Sequence, residues 1–223
     1  MRRVADRFLD ALPPEEVAHL HQRGVVRRFP RGTALFHEHQ VSDKVMLLTE
    51  GRVKIASTSE DGRESVLAFR GPGEVLGELS AIDGQPRSAG VTAVDPVEAL
   101  VIPTADFRSF LERSPRAALW ILTRLITRLR EADRKRAEFG TSDTIGRVAA
   151  RLVELAGDYG KAQPGGGVLI DLPITQEELA SWVGSSREGV NKALHTLRGL
   201  NWVTTERRAI TVLDMEALRR RAG

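Results

Sequence analysis

The apolar residues of this 223-residue chain change period at Pro103, and that switch separates what can fold as sheet from what can fold as helix. From residue 25 to 102 the chain reads as short β-branched runs, VVRRF, TALF, KVMLL, RVKIAS, SVLAF, AGVTAV and VEALVI. Between them stand the turn signals PRG, EGR, EDGR, GPGE, DGQPR and DP, so an antiparallel barrel or sandwich is predicted. An apolar-spaced start around Val17 to His21 precedes it. After Pro103, TADFRSFLERSP opens a helical region, and from Pro115 to Phe139 the residues Leu119, Leu122, Ile126 and Leu129 recur at spacings of three and four. Such a stripe is the narrow seam of a two-stranded coiled coil rather than the broad face of a core helix, so two copies of the chain are expected to pair along it.

The remainder changes character again. EFGTSD is read as a hinge at which Gly140 permits a swivel, and DTIGRVAARLVELAGDYG as a helix with an Asp143 cap and a glycine exit. QPGGG is a flexible turn and VLIDLPI is strand material. In TQEELASWVGSSREGVNKALHTLRGLNWV two helices meet at a tight turn on Gly184. Thr175 with Glu178 forms a capping box for the first, and Ser185 with Glu188 is placed to do the same for the second. WVTTERRAITVL reads as a wing-like hairpin, and Asp214 caps a last basic helix, MEALRRRAG. Helix, turn, helix and wing describe a DNA-reading module. The expected layout is a β-roll over 1–114, a dimerisation helix over 115–139, a hinge over 140–143 and a winged helix-turn-helix over 144–223.

Composition removes several classes of chemistry. With no cysteine there is no disulfide framework, thiolate metal site or cysteine nucleophile, which fits a reducing cytoplasm. No apolar run approaches the ~20 residues of a membrane span, and MRRVADRFLDALPPEE lacks the apolar stretch of a secretory signal, so a cytoplasmic protein with no membrane partner is expected. The net charge of +3 is mild, but residues 185–223 hold eight Arg/Lys against four Asp/Glu, a local excess suited to a polyanion. His37 and His39 sit two apart on an expected strand without a third ligand, and His19 and His21 are treated alike, so no metal is expected. GPGEVLG fails the dinucleotide fingerprint and no P-loop is present. Trp182 and Trp202 are read as packing residues of the winged domain, and the closing arginines as solvated.

Two stretches carry a resemblance. GELSAIDGQPRSA, residues 77–89, is similar to the phosphate-binding cassette of the cAMP receptor protein family of bacterial transcription regulators. TQEELASWVGSSREGVNKAL is similar to that family's helix-turn-helix, and the likeness extends over nearly the whole chain. The resemblance implies an α+β fold: an N-terminal antiparallel, jelly-roll-like β-roll that binds a cyclic nucleotide, flanking helices, a long dimerisation helix and a C-terminal winged helix-turn-helix. It also implies a homodimer that binds near-palindromic double-stranded DNA, has RNA polymerase as a further partner and answers allosterically to cAMP, with cGMP as the alternative, and it implies no enzyme activity. A regulator of the same fold that works without nucleotide or is gated differently is the competing expectation. An enzyme acting on a cyclic nucleotide needs a metal cluster or an activated nucleophile beside the cassette, and the sequence suggests neither.

The cassette residues suit the ligand. A cyclic nucleotide presents one anionic phosphate and one free ribose 2′-hydroxyl. Arg87 supplies a planar fork for the first and Glu78 an acceptor for the second. Ser88 adds a hydroxyl donor, while Gly77, Leu79 and the N–H groups of this loop lie within reach of the anion. The family's usual hydroxyl or amide pair facing the base falls here on Ala132 and Asp133. A carboxylate at Asp133 accepts two hydrogen bonds from guanine, so the residue either shifts preference toward a guanine nucleotide or weakens nucleotide binding; alternatively Asp133 meets Arg136 across a dimer. In the second module Arg187 suits guanine O6/N7, Glu188 suits cytosine N4, Lys192 suits a second guanine or a phosphate, and Asn191 shares their face. Ser186 and Thr175 are placed for phosphates. Gly189 and Lys192 depart from the family's commoner threonine and arginine, and Gly189 costs the helix up to ~1 kcal/mol.

Overall fold

A computed structural model describes residues 7–41, 43–206 and 209–223. The opening MRRVAD, Ser42 and the Arg207 and Arg208 pair of the expected wing lie outside the described residues. Two compact units account for the chain, Met1–Arg130 and Glu131–Gly223.

The first unit starts with a 3-10 turn, Leu9–Ala11, and α1, Pro14–Arg23. Its strands are β1 (Val25–Phe29), β2 (Ala34–Phe36), β3 (Lys44–Glu50), β4 (Val53–Thr58), β5 (Glu64–Arg70) and β6 (Val75–Leu76). Then come α2 (Glu78–Asp83), β7 (Gly90–Ala93), β8 (Val97–Pro103), α3 (Thr104–Arg113) and α4 (Pro115–Thr141), which runs on past Arg130. Two antiparallel four-stranded sheets result, in the orders β1-β8-β3-β6 and β2-β7-β4-β5. The seven predicted runs are β1 to β5, β7 and β8. The two-residue β6 escaped notice because GPGEVLG offers no alternation.

Strand β3 explains the layering. Its apolar run has period two, so successive side chains enter opposite cores. Val45 and Leu47 join Phe8, Phe107, Phe110 and Trp120 under the helices, whereas Met46 and Leu48 join Phe36, Val53 and Val91 between the sheets. The neighbouring β8 divides in the same way, with Leu100 and Ile102 on the helical side and Val97 and Ala99 on the other. Each such fully buried side chain contributes roughly 1.5–3 kcal/mol. Phe8 and Trp120 meet edge to face at 5.1 Å.

Helix α4 has two apolar faces. Ala117, Trp120 and Ile121 are buried in the first unit's core. Leu119, Leu122, Ile126 and Leu129 are 42–63% exposed, so the seam read from the sequence is uncovered by its own chain. Gly140 lies inside the last turn of α4, and Ser142 N–H closes that turn on Glu138 O at 2.9 Å.

The second unit holds α5 (Thr144–Tyr159), β9 (Gly160–Ala162), β10 (Val168–Ile170), α6 (Gln176–Val183), α7 (Arg187–Gly199), β11 (Val203–Glu206), β12 (Ala209–Val212) and α8 (Met215–Ala222). Its sheet runs β11-β12-β10-β9, with β11 and β12 as the wing. Val148, Leu152 and Leu155 of α5 pack with Leu179, Val190, Leu197 and Leu218 in a buried core. Three of the four helix starts named from the sequence are capped as expected. Asp143 accepts from Gly146 N–H at 2.8 Å, Asp214 from Ala217 N–H at 2.9 Å, and Thr175 and Glu178 form a reciprocal box. Gly184 takes the left-handed conformation between α6 and α7, with φ 59°, and a Cβ there would lie 2.3 Å from the Phe139 ring.

Three local readings change. The cap of α7 is Ser186, which accepts from Gly189 N–H at 3.0 Å; Ser185 is one residue early, and glycine at the third helical position has no side chain to return the bond, so the expected Ser185–Glu188 box does not form. The glycine exit of α5 is extended at Gly160 (φ −76°) rather than left-handed, because the chain passes directly into β9. His37 and His39 are not on a strand: β2 ends at Phe36, and the two residues sit in a turn with His39 at φ 64°.

Arg221 Nη2 donates to both oxygens of Asp143, at 2.6 and 2.5 Å. The Gly146 N–H foremost, then this guanidinium, holds the Asp143 carboxyl below its ordinary range. A depressed folded-state value stabilises above the unfolded value of about 4 and loses that stabilisation as pH falls through the folded one. Asp143→Asn keeps a competent cap but has no charge to titrate. Urea midpoints should therefore favour the wild type at neutral pH and converge on the variant below about pH 4.

Candidate functional site

Gly77 and Glu78 end one strand connection and open the next helix. The sequence predicts a loop over 77–90, but residues 78–83 form α2, closed at both ends by glycines at positive φ. Gly77, at φ 83°, is required here for a second reason: a Cβ would stand 2.2 Å from Arg87 Nη1. Arg87 arrives from the other end of the segment. Its backbone is pinned to the His39–Gln40 turn, with Arg87 N–H on Gln40 O at 2.9 Å and His39 N–H on Arg87 O at 2.8 Å.

The Arg87 side chain is buried, 3% exposed. Nη1 donates to Gly77 O at 3.1 Å, Nη2 to Lys44 O, and the guanidinium lies 3.9 Å over the Phe36 ring. Nε is buried and has no partner among the described residues. Burial pushes the guanidinium below its ordinary pKa, with Asp43 and Glu78 acting in the opposite sense. Two neutral carbonyls and a ring face leave this cation short of compensation, so the position favours an anion. Gly77, Glu78 and Arg87 are thus brought together. Leu79 lies half exposed on α2, and Ser88 is exposed beside Arg87.

Glu78 is also buried, 4% exposed, and its partner is on α4. Arg128 Nη1 donates to Glu78 Oε1, and Arg128 Nη2 donates to Glu74 Oε2 at 2.6 Å. Arg124, one turn earlier, donates to Glu74 Oε1. Sequence reading missed Glu74, Arg124 and Arg128. Their signal was faint: two arginines four apart on α4, away from the leucine seam, and a glutamate just before a two-residue strand. Asp133 and Ala132 belong to the second unit, where both are exposed on α4.

In the second unit the exposed face of α7 carries Arg187, Glu188, Asn191 and Lys192. Glu188 and Lys192 pair at 2.8 Å with both side chains about three-quarters exposed, an interaction of at most about 1 kcal/mol that a ligand readily replaces. Ser186 and Thr175 spend part of their hydrogen-bonding capacity on caps: Thr175 Oγ1 donates to Glu178 Oε2 at 2.9 Å. A groove of about 410 Å³ brings Thr175, Gln176 and Arg187 together with Thr205 and Glu206 of the wing. Arg198 Nη1 braces that wing through Thr205 Oγ1 at 3.1 Å.

Trp182 is buried, as expected of a packing residue, and Lys135 Nζ lies 5.0 Å over its ring. Burial foremost lowers the Lys135 pKa, and its partner Glu154 at 3.2 Å opposes the shift. Arg151 joins Glu154 at 2.5 Å and also holds Glu138, so the last turns of α4 are tied to α5 inside this unit. Among the described residues no His/Asp/Glu group is disposed to hold a metal ion, and no helix is long and apolar enough to cross a membrane.

Two family descriptions match the chain: a cyclic nucleotide-binding domain over residues 26–114 and a Crp-like helix-turn-helix domain over residues 146–221. The chain is 36% identical over 215 residues to the CRP-like cAMP-activated global transcriptional regulator of Mycobacterium tuberculosis, covering 96% of each. A solved CRP/FNR-family transcriptional regulator from Thermus thermophilus is 26% identical, with a TM-score of 0.75 over 89% of this chain and 98% of that one. The c-di-GMP-responsive global regulator CLP of Xanthomonas campestris shares the fold, with a TM-score of 0.79 at 23% identity over 90% of this chain and 99% of that one.

Proposed function

The chain belongs to the CRP/FNR family of transcription regulators, and from that membership we propose that it is a homodimeric DNA-binding regulator gated by a cyclic nucleotide, cAMP first and cGMP second. The observation that carries this reading is the buried Arg87 guanidinium, which is incompletely compensated and has one N–H without a partner among the described residues. The cyclic phosphate supplies the missing charge. Arg87 meets it with its fork, Ser88 adds a hydroxyl, and the Gly77–Leu79 turn adds backbone N–H groups. Glu78 accepts from the ribose 2′-hydroxyl.

Dimer formation is supported by the exposed seam of Leu119, Leu122, Ile126 and Leu129, which a second copy would bury. The domain limits proposed are 1–114, 115–139, 140–143 and 144–223. Within the winged module α7 enters the major groove, Arg187 reads guanine, Glu188 reads cytosine, and Lys192 takes a second guanine or a phosphate. Ser186 and Thr175 fix the register on phosphates. Two modules one helical turn apart, about 34 Å, read a near-palindrome. The nucleotide favours the DNA-competent arrangement to the extent that it binds that arrangement more tightly. The work is recognition without catalysis, in the cytoplasm, with RNA polymerase as the remaining partner.

One feature favours a second reading. Ala132 and Asp133 replace the family's usual pair facing the base, which fits guanine selectivity or a regulator that needs no nucleotide.

Calorimetry of the purified protein against cAMP, cGMP and c-di-GMP, with gel shifts on palindromic DNA with and without each, tests the proposal. Saturable binding of a cyclic mononucleotide that tightens DNA binding is expected. Arg87→Gln should weaken nucleotide binding by about 100-fold or more, since each charge-assisted hydrogen bond contributes ~1.5–3 kcal/mol; undiminished affinity overturns the site. Asp133→Thr should raise the affinity for cAMP relative to cGMP, and unchanged affinities for both discard a role for Asp133. Sedimentation should find a wild-type dimer and a Leu122→Glu monomer.

A further inference from the structure

The charge cluster beside Glu78 holds more than the nucleotide reading requires. Glu78 has two carboxylate oxygens, and Arg128 takes only Oε1; Oε2 accepts from no described residue. An arginine facing a carboxylate ordinarily lays both arms of its fork on both oxygens. Arg128 does not, because its second arm is on Glu74 Oε2 at 2.6 Å. Both oxygens of Glu74 are thus engaged, Oε1 by Arg124 and Oε2 by Arg128 with Arg70 Nε 3.8 Å away, and Glu74 is itself buried, 9% exposed. The two carboxylates are buried while the arginines stay 22–31% exposed, so the choice of partner for each arm is worth more than between fully exposed groups.

We propose that Glu74 is a positioning residue of the nucleotide site: by holding one arm of Arg128 it keeps Glu78 Oε2 open to the ribose 2′-hydroxyl. Discrimination between ribose and deoxyribose then depends on a carboxylate that never touches the ligand. With Glu74 neutralised, the freed arm of Arg128 swings onto Glu78 Oε2 and competes with the ribose hydroxyl for it. Arg124 and Arg128 are one turn apart on α4, so the same helix that carries the exposed seam sets the state of the ribose acceptor. The inference rests on the reading of Glu78 as that acceptor.

The test compares cAMP with 2′-deoxy-cAMP, and cGMP with 2′-deoxy-cGMP, by calorimetry on the full-length wild type and Glu74→Gln. Glutamine replaces two charged oxygens by one neutral carbonyl oxygen, which weakens the hold on Arg128 while Arg124 and Arg70 remain beside it. The wild type should prefer the ribose form by about tenfold, the value of one good hydrogen bond. In Glu74→Gln the preference should shrink to about twofold or less, through weaker binding of the ribose form alone. Should Glu74→Gln fail to fold, Glu74→Met with Arg124→Met carries the same comparison, an apolar pair standing in for the Glu74–Arg124 ion pair and leaving Arg128 unshared. A variant that keeps the wild-type preference, or loses both forms alike, overturns the role of Glu74 alone. A wild type without preference overturns the ribose reading of Glu78, and this inference with it.

Discussion

A cation taken out of water organises the first unit. Arg87 lies under the protein surface on two carbonyl oxygens and the face of Phe36, and its desolvation is only partly offset by Asp43 and Glu78. Such a group is costly unless an anion completes its shell. Its surroundings are shaped to permit the placement: Gly77 gives up a side chain so that the guanidinium fits, and the turn at His39 and Gln40 grips the arginine's backbone on both sides.

Around that cation the fold supplies rigidity. The sheet containing β3 and β8 is apolar on both faces, one toward the second sheet and one toward α1, α3 and α4, so the strands bordering the site are anchored from two cores. Helix α4 then contributes Arg124 and Arg128 to the first unit and Lys135 and Glu138 to the second. One element therefore carries charges whose partners lie in the first unit for Arg124 and Arg128 and in the second for Lys135 and Glu138.

The second unit relies on local chemistry. Side-chain oxygens cap α5, α6, α7 and α8, and a left-handed glycine turns α6 into α7. Those devices act over three or four residues. The outcome is a helix whose first turns expose Arg187, Glu188, Asn191 and Lys192 while Val190, Ala193 and Leu197 lock it to the core.

Sequence alone determined whatever depends on near neighbours. Periodicity, turn residues and cap residues gave seven strands of the first unit, the length of α4 to within two residues, three of the four named caps and the Gly184 turn, because each is signalled by residues close together in the chain. Family likeness then supplied roles for Glu78 and Arg87 that spacing by itself left open. Only the tertiary structure decided that 78–83 is a helix, that Ser186 and not Ser185 caps α7, and that Glu74, Arg124 and Arg128 surround Glu78. Fifty residues separate those carboxylates from their arginines, and no local pattern encodes which charges meet once a strand end and a distant helix are packed face to face.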